Sequence, residues 1–244
     1  MPPVSLPHMS LPAHAALLLD LDGTLIDIAP TPDRVVVPPG LLASLDRARR
    51  LCGDALAVVT GRPIAQVDAL LGPVPYAVAG EHGGAIRHAP GGAMERPDLA
   101  ELPADWLAAG ARSVAGWPGT LLERKQRSFV LHYRLAPAAG PALQAALAEL
   151  LKGHEDRFTI MPALMAWEMK PLGADKATAV SALMAHPPFR GRVPIYIGDD
   201  TTDEDGMRAA RALGGLGWRV QDVFGDPAGV RAWLAGIGGE QGSG

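Results

Sequence analysis

The chain has a single cysteine, few aromatic residues and no long apolar run. Cys52 alone cannot form an intramolecular disulfide, so nothing indicates an oxidising compartment. No stretch of about 18 consecutive apolar residues is present, which excludes a membrane-spanning helix. The first 14 residues include four prolines and no basic segment ahead of an apolar one, unlike a signal or transit peptide. These absences predict a cytoplasmic protein that does not contact a membrane.

Positive charge is also in short supply. The 244 residues carry a net charge of −4, which argues against nucleic acid as a partner. Hydrophobic residues make up 48% and charged residues 20%, the profile of an ordinary globular protein with one large domain or two modest ones. A local basic pocket is compatible with this charge balance. No motif in the sequence indicates an oligomer, and we expect a monomer.

Short apolar runs that end in polar residues and glycine alternate with helical stretches in both terminal parts of the chain. This rhythm predicts a Rossmann-like parallel sheet, in which ligands bind beyond the carboxyl ends of the strands. The predicted strands are Ala15–Leu19, Ala55–Val59, Tyr76–Ala79 and Val193–Ile197. The first predicted helix is Leu41–Leu51, and the second has Pro63 in its first turn and carries Ile64, Val67, Leu70 and Leu71.

The middle of the chain follows a different pattern. Apolar and polar residues alternate in Leu121–Lys125, Ser128–Leu135 and Met165–Lys170, as in strands with one solvated face. Alanine-rich helices are predicted at Ala104–Ala115 and Ala138–Leu151. The α/β chain is therefore predicted to have a core at 1–91 and 171–244. An inserted α+β cap at 92–170 is predicted to be an antiparallel sheet backed by helices.

Asp20 and Asp22 directly follow the first predicted strand, within the string Asp-Leu-Asp-Gly-Thr. Two carboxylates at this spacing on a loop can converge on one site, and glycine eases the turn that follows. The alternative is an acidic turn without a chemical role, which the complete five-residue string disfavours.

A second acidic cluster, Asp199, Asp200 and Asp203, follows the last predicted strand on the same sheet edge. Carboxylates gathered at one place remain ionised together when a cation neutralises them, and hard oxygen ligands suit Mg²⁺. These acids could instead cap the next helix, because helix N-termini favour negative charge.

Groups that bind phosphate are predicted at the same edge. Thr60 and Gly61 end the second strand and can offer a hydroxyl and a backbone N–H, and Lys176 at a helix start can offer positive charge. A lone lysine is usually a solvated surface residue. Its placement beside two acidic strand ends favours a binding role.

In order along the chain, these motifs resemble those of the haloacid dehalogenase-like phosphatases. More narrowly, residues from about 17 to 233 resemble the trehalose-6-phosphate phosphatase family. The motifs that carry the resemblance are Asp20-x-Asp22-x-Thr24, Thr60-Gly61-Arg62, Lys176, Gly198-Asp199-x-x-x-Asp203, Gly80-Glu81-His82-Gly83, Glu123-x-Lys125, His132-Tyr133-Arg134 and Trp167-Glu168-Met169-Lys170. Ala177 stands where the family usually has glycine, a change that a helix tolerates.

The resemblance implies a Mg²⁺-dependent phosphatase and a role for each core residue. Asp20 is the implied nucleophile and Asp22 the general acid and base. Metal ligands are Asp20, the Asp22 backbone carbonyl and Asp199, with Asp200 and Asp203 in support. Thr60, Gly61 and Lys176 are the implied phosphoryl-binding residues, and Arg62 is implied to assist in substrate binding.

The resemblance also implies that the cap binds the sugar through Glu123, Lys125, His132, Arg134 and Glu168. From the alternation alone, these charges could simply solvate an exposed sheet face. The implied substrate is trehalose 6-phosphate. Sucrose phosphate or mannosylglycerate phosphate is the alternative within the same chemistry, and a non-catalytic sugar-phosphate sensor is the alternative outside it.

Overall fold

The computed structural model describes residues 11–12, 14–31, 34–125 and 127–237. Two compact units are present. Met1–Arg96 with Asp175–Gly244 form the core unit, and Pro97–Ala174 form the inserted unit. Both junctions fall a few residues after the boundaries at 91 and 170 that the sequence predicts.

Strands and helices are numbered along the chain. The strands of the core unit are β1 (Ala15–Leu19), β2 (Leu56–Val59), β3 (Ala77–Gly80), β4 (Ala85–Arg87), β5 (Met94–Glu95), β10 (Val193–Gly198) and β11 (Leu216–Arg219). Its helices are α1 (Leu41–Leu51), α2 (Ile64–Leu71), α5 (Lys176–Met184), α6 (Asp203–Ala212), α7 (Val220–Val223) and α8 (Pro227–Gly236). Among the described helices, none has the length and hydropathy needed to cross a bilayer.

The core sheet has the order β11-β10-β1-β2-β3-β4-β5. Pairing is parallel from β11 to β3, and β4 and β5 are antiparallel additions. All five residues of β1 are buried, which explains why its sequence is a continuous apolar run rather than an alternating one. The predicted Rossmann-like core is confirmed, and its central strands direct their carboxyl ends to one edge.

The inserted unit contains β6 (Leu121–Arg124), β7 (Phe129–His132), β8 (Phe158–Ala163) and β9 (Ala166–Pro171), with helices α3 (Trp106–Ala115) and α4 (Gly140–Leu151). Its sheet order is β6-β7-β9-β8, and every pair is antiparallel. Both helices contribute to one apolar cluster with Phe129, Leu131 and Met169. The predicted antiparallel sheet backed by two helices is therefore confirmed.

The predicted strand Ser128–Leu135 was too long. β7 ends at His132, which pairs with Ala166, because the partner strand β9 begins there, directly after the turn that contains Met165 (φ 54°). Arg134 consequently lies in a turn rather than on the sheet face, and Leu135 is 76% exposed. The alternation of apolar and polar residues continues to Leu135, although the backbone pairing of β7 ends at His132.

Helix α1 offers a matched test of core packing. Leu45 is fully buried, whereas Leu42 on the same helix is 38% exposed. We expect Leu45→Ala to lower the free energy of unfolding by about 2–5 kcal/mol because it leaves a cavity in the core. Leu42→Ala should change it by about 0.5 kcal/mol or less. Urea unfolding measures both, and equal losses would contradict the assigned packing.

Candidate active site

Three adjacent strands deliver the site residues to one edge of the core sheet. In the register of β1, Leu19 pairs with Ile197 of β10 and with Val58 of β2. The chain positions that follow these strands therefore lie side by side. They are Asp20, Asp199 and Thr60, as the spacing of motifs predicts.

A tight turn follows Asp20 and places Asp22. Leu25 and Ile26 both donate backbone hydrogen bonds to the carbonyl of Leu21, at 2.9 and 3.0 Å. Gly23 has φ +80°, and a Cβ there would lie 2.3 Å from the carboxylate oxygen Oδ2 of Asp199. Only glycine satisfies both constraints, so Gly23 lets the two acidic loops approach each other.

The strongest contact at the site joins Lys176 to two carboxylates. Its Nζ donates to Asp20 Oδ1 at 2.7 Å and to Asp203 Oδ1 at 2.6 Å, and all three residues are buried. Tyr196 of β10 donates its hydroxyl to the same Asp203 oxygen at 2.6 Å. The alternative of a solvated surface lysine is therefore wrong, because a buried ammonium requires such partners.

Burial and like charge dominate the electrostatics here. Desolvation, followed by the charge of Asp203, raises the pKa of Asp20 well above its ordinary value despite the opposing effect of Lys176. The pKa of Asp199 rises to about 6, first through burial and then through the charges of Asp203 and Asp200. An excess of negative charge is thus concentrated where a cation would relieve it.

The donor set fits a hard divalent cation. Carboxylate oxygens of Asp20, Asp199 and Asp203 lie within 4.8 Å of one another. Asp203 is nevertheless a poor ligand, because its Oδ1 accepts from Lys176 and Tyr196 and its Oδ2 accepts from the backbone N–H groups of Asp199 and Asp200. Asp20 and Asp199 are the better candidates, and Asp203 organises the groups around them.

Asp200 acts locally in the helix start. Its Oδ1 accepts the backbone N–H and the hydroxyl of Thr202, at 2.8 and 2.7 Å, and the N–H of Asp203 at 3.2 Å. Burial raises its pKa, but the charge of Lys176 and these hydrogen bonds outweigh it, so the pKa is lowered overall. Of the acids in this cluster, Asp200 is therefore the one that binds backbone N–H groups at the start of α6, as the capping alternative predicts.

The loop after β2 is held by a strained turn that follows β3. Backbone N–H groups of Glu81 and His82 donate to the carbonyls of Arg62 and Thr60, both at 3.0 Å, and both donors have φ 54°. The imidazole of His82 covers Gly61, where a Cβ would lie 2.5 Å from Nε2. Strained backbone of this kind persists only when the surrounding structure enforces it.

Arg62 is paired with Asp22. Its Nε donates to Asp22 Oδ2 at 2.6 Å and its Nη2 to Asp22 Oδ1 at 2.7 Å, a two-bond pairing that suits a planar guanidinium and a carboxylate. A further bond from Nη1 reaches Gln66 Oε1 at 3.1 Å. The structure therefore places Arg62 at the core site, bound to the carboxylate proposed for acid–base chemistry.

The face of the inserted sheet opposite its helices carries two pairs of polar side chains in contact. His132 Nε2 lies 2.9 Å from Glu123 Oε2, and Lys125 Nζ lies 3.0 Å from Glu168 Oε1. Glu168 is buried, and its Oε1 also accepts the hydroxyl of Ser128 at 2.6 Å. Four of the five predicted sugar-binding residues are thus brought together, and Arg134 lies beyond the end of β7.

Two polar residues of these clusters were missed by the sequence analysis. Tyr196 is the only hydroxyl-bearing residue of β10, and a buried tyrosine hydroxyl needs a partner, so its presence was a signal. Ser128 lies on the polar face of the predicted strand Ser128–Leu135, but no motif marks it as part of the sugar-binding site. No sequence feature links it to Glu168, 40 residues away.

The fold is similar to that of a haloacid dehalogenase-like hydrolase from Bacteroides thetaiotaomicron, which matches 80% of this chain and 85% of its own with a TM-score of 0.59 at 16% identity. The C-terminal domain of trehalose-6-phosphate phosphatase from C. albicans matches this chain with a TM-score of 0.76. That match covers 91% of this chain and 92% of the solved one, at 20% identity. At this identity the likeness supports the fold alone.

Residues 18–224 match the family model described as trehalose-phosphatase. A probable trehalose-phosphate phosphatase of Sinorhizobium fredii is 43% identical over 84% of this chain and 77% of its own length. The trehalose-6-phosphate phosphatase of Escherichia coli is 36% identical over 93% and 84%. The chain belongs to the trehalose-phosphatase family and is a phosphoric monoester hydrolase.

Replacing Lys176 tests the buried pairing. Lys176→Met leaves Asp20 and Asp203 buried without their cation, so we expect the free energy of unfolding to fall by about 3–5 kcal/mol. Urea unfolding near pH 7 without divalent cations measures it. Lys152→Met is the control, because Lys152 is exposed and its pair with the neighbouring Glu149 is exposed as well. Similar losses in both variants would contradict the buried role.

The Glu123–His132 pair predicts a pH-dependent contribution to stability. The hydrogen bond with His132, and then the charge of Lys125, outweigh burial and lower the pKa of Glu123 from its ordinary 4.5. A carboxyl group whose pKa is lower in the folded protein than in the unfolded chain stabilises the fold at pH values above its ordinary pKa. This contribution is lost as the pH falls through the pKa of the folded state.

Wild type should therefore exceed Glu123→Gln in unfolding free energy above about pH 5, and the gap should shrink toward about pH 3. Denaturant titrations at several pH values measure this gap. Glu149→Gln alters an exposed pair and should show little gap at any pH. A gap for Glu123→Gln that does not change with pH would contradict the assignment.

Proposed function

We propose that the protein hydrolyses trehalose 6-phosphate to trehalose and inorganic phosphate, the last step of trehalose biosynthesis, in the cytoplasm. The observation that carries the chemistry is the buried carboxylate of Asp20 at the carboxyl edge of the sheet, 2.7 Å from Lys176. The family and the names of the two relatives support the substrate. Residues 1–91 and 171–244 are proposed to perform the chemistry, and the cap at 92–170 to recognise the sugar.

Asp20 is proposed as the nucleophile. One of its carboxylate oxygens forms a bond to phosphorus while the bond from phosphorus to the sugar oxygen breaks, giving a phosphoaspartate. Asp22 donates a proton to the departing oxygen, and in the second step it accepts a proton from water as that water attacks phosphorus and releases Asp20. Because Arg62 engages both Asp22 oxygens, one of those hydrogen bonds opens during proton donation.

The phosphoryl oxygens are assigned to donors of the core unit. Thr60 is buried at the end of β2, and the Gly61 backbone lies beside it. Lys176 offsets part of the negative charge of Asp20, which lowers the repulsion between an anionic nucleophile and an anionic substrate. Their fixed positions favour the transition state because little reorganisation is needed.

Mg²⁺ is the proposed cofactor. Asp20, the backbone carbonyl of Asp22 and Asp199 would hold it, since Asp203 is committed to four hydrogen-bond donors. When bound, the ion would neutralise charge on the transferring phosphoryl group. Asp200 and Asp203 support the site by fixing the loop and Lys176.

Sugar recognition is assigned to the charged face of the inserted unit. Four residues, Glu123, Lys125, His132 and Glu168, offer both donors and acceptors to hydroxyl groups. Arg134 lies just beyond the end of β7, the strand that carries His132. Their mutual pairing holds these long side chains in place before ligand binding, which reduces the entropy that binding would cost.

Phosphate release from trehalose 6-phosphate tests the function. We expect release only with Mg²⁺, and a loss of more than about a thousandfold in Asp20→Asn, because the amide cannot act as the nucleophile. Asp105→Asn, at the start of α3 in the inserted unit, is the control and should remain active. Equal activity of Asp20→Asn and wild type would refute the mechanism.

A panel of sucrose 6-phosphate, mannosylglycerate phosphate and glucose 6-phosphate tests the sugar. The highest kcat/KM is expected for trehalose 6-phosphate. Equal values across the panel would refute the sugar assignment and leave the core chemistry standing.

A further inference from the structure

A charged residue at the sheet edge reaches the loop that carries Asp199. Arg219 is the last residue of β11, and in the parallel register it pairs with Gly198, the residue before Asp199. Its Nη1 donates to the backbone carbonyl of Asp199 at 3.2 Å, and its Nη2 donates to Glu204 Oε1 of α6. The guanidinium thereby joins a neighbouring strand, the acidic loop and the following helix.

The backbone of Asp199 is held from both sides. Its N–H donates to Asp203 Oδ2 at 3.1 Å, and its carbonyl accepts from Arg219. Because the direction of the Cα–Cβ bond follows from the orientation of the backbone, these two bonds fix the direction from which the Asp199 side chain leaves the loop. That carboxylate lies against Gly23, in the space that a Cβ there would occupy.

The two contacts suit an arginine better than a lysine. A guanidinium presents separate N–H groups in a fixed fork, so it can bond a carbonyl and a carboxylate at once, whereas a lysine ammonium acts as a compact point charge. An isolated ion pair at a partly exposed position contributes little to stability. The bond from the same guanidinium to the carbonyl of Asp199 gives the Arg219–Glu204 pair a role beyond stability.

We propose that Arg219 is a positioning residue that sets the divalent-cation affinity of the active site by orienting Asp199, with Glu204 holding the guanidinium in place. Arg219 contacts neither cation nor substrate in this role. The inference rests on the proposed function only in that the site binds Mg²⁺. Outer-shell partners of metal ligands typically account for about 10–100-fold in metal affinity.

Calorimetric titration of the full-length chain with Mg²⁺, and with Mn²⁺ as a spectroscopic substitute, measures this affinity without substrate. Arg219→Met should weaken binding by about 10–100-fold. Arg219→Lys should restore it only in part, since one ammonium does not replace the fork. Arg208→Met, which removes an exposed pair with Asp205 on α6, is the control and should bind as wild type does.

Turnover gives a second readout. Excess Mg²⁺ should restore the kcat of Arg219→Met, with the KM for trehalose 6-phosphate unchanged, which a general loss of folding would not produce. Wild-type cation affinity in Arg219→Met would overturn the inference and leave the proposed function intact. Absence of cation binding by the wild type would overturn the inference together with the proposed cofactor.

Discussion

The buried bonds from Lys176 to Asp20 and Asp203 join the parts of the chain on which the site depends. Asp20 follows the first strand, and Lys176 begins the first helix after the inserted unit, 156 residues later. Asp203 then ties the same ammonium to the loop that carries Asp199. Buried charges of this kind are costly unless each has partners, so the pairing constrains the whole strand edge to one arrangement.

Much of this arrangement could be predicted from the sequence because its signals are local. Continuous apolar runs that end in Asp20 and Asp199 mark buried parallel strands, and α1 begins and ends where its leucine pattern does. Short or exposed elements gave weak signals. β5 has two residues, both exposed, and β11 follows a glycine pair at the sheet edge. Neither carries an apolar pattern long enough to be recognised.

Side-chain partnerships were less predictable than backbone elements. The contacts of Tyr196, Ser128 and Arg219 depend on how strands and helices meet, and the sequence distance between partners gives no indication of them. The extra length predicted for β7 has a related cause. Alternation continues through Leu135, but the facing strand β9 begins only at Ala166, after the turn that contains Met165, so the ladder ends at His132. Patterning shows which face a residue prefers, and pairing decides where the strand stops.

The insertion between β5 and α5 also determines when the site can form during synthesis. β1 lies between β10 and β2, and Ala15 pairs with Val193, so one edge of β1 has no partner until the last third of the chain is made. At ribosomal rates the interval between Asp20 and Lys176 is on the order of ten seconds. The inserted unit has its own apolar cluster and is complete in the nascent chain before α5 emerges. Asp20 is therefore synthesised well before Lys176, and its buried surroundings form only after the inserted unit has been made.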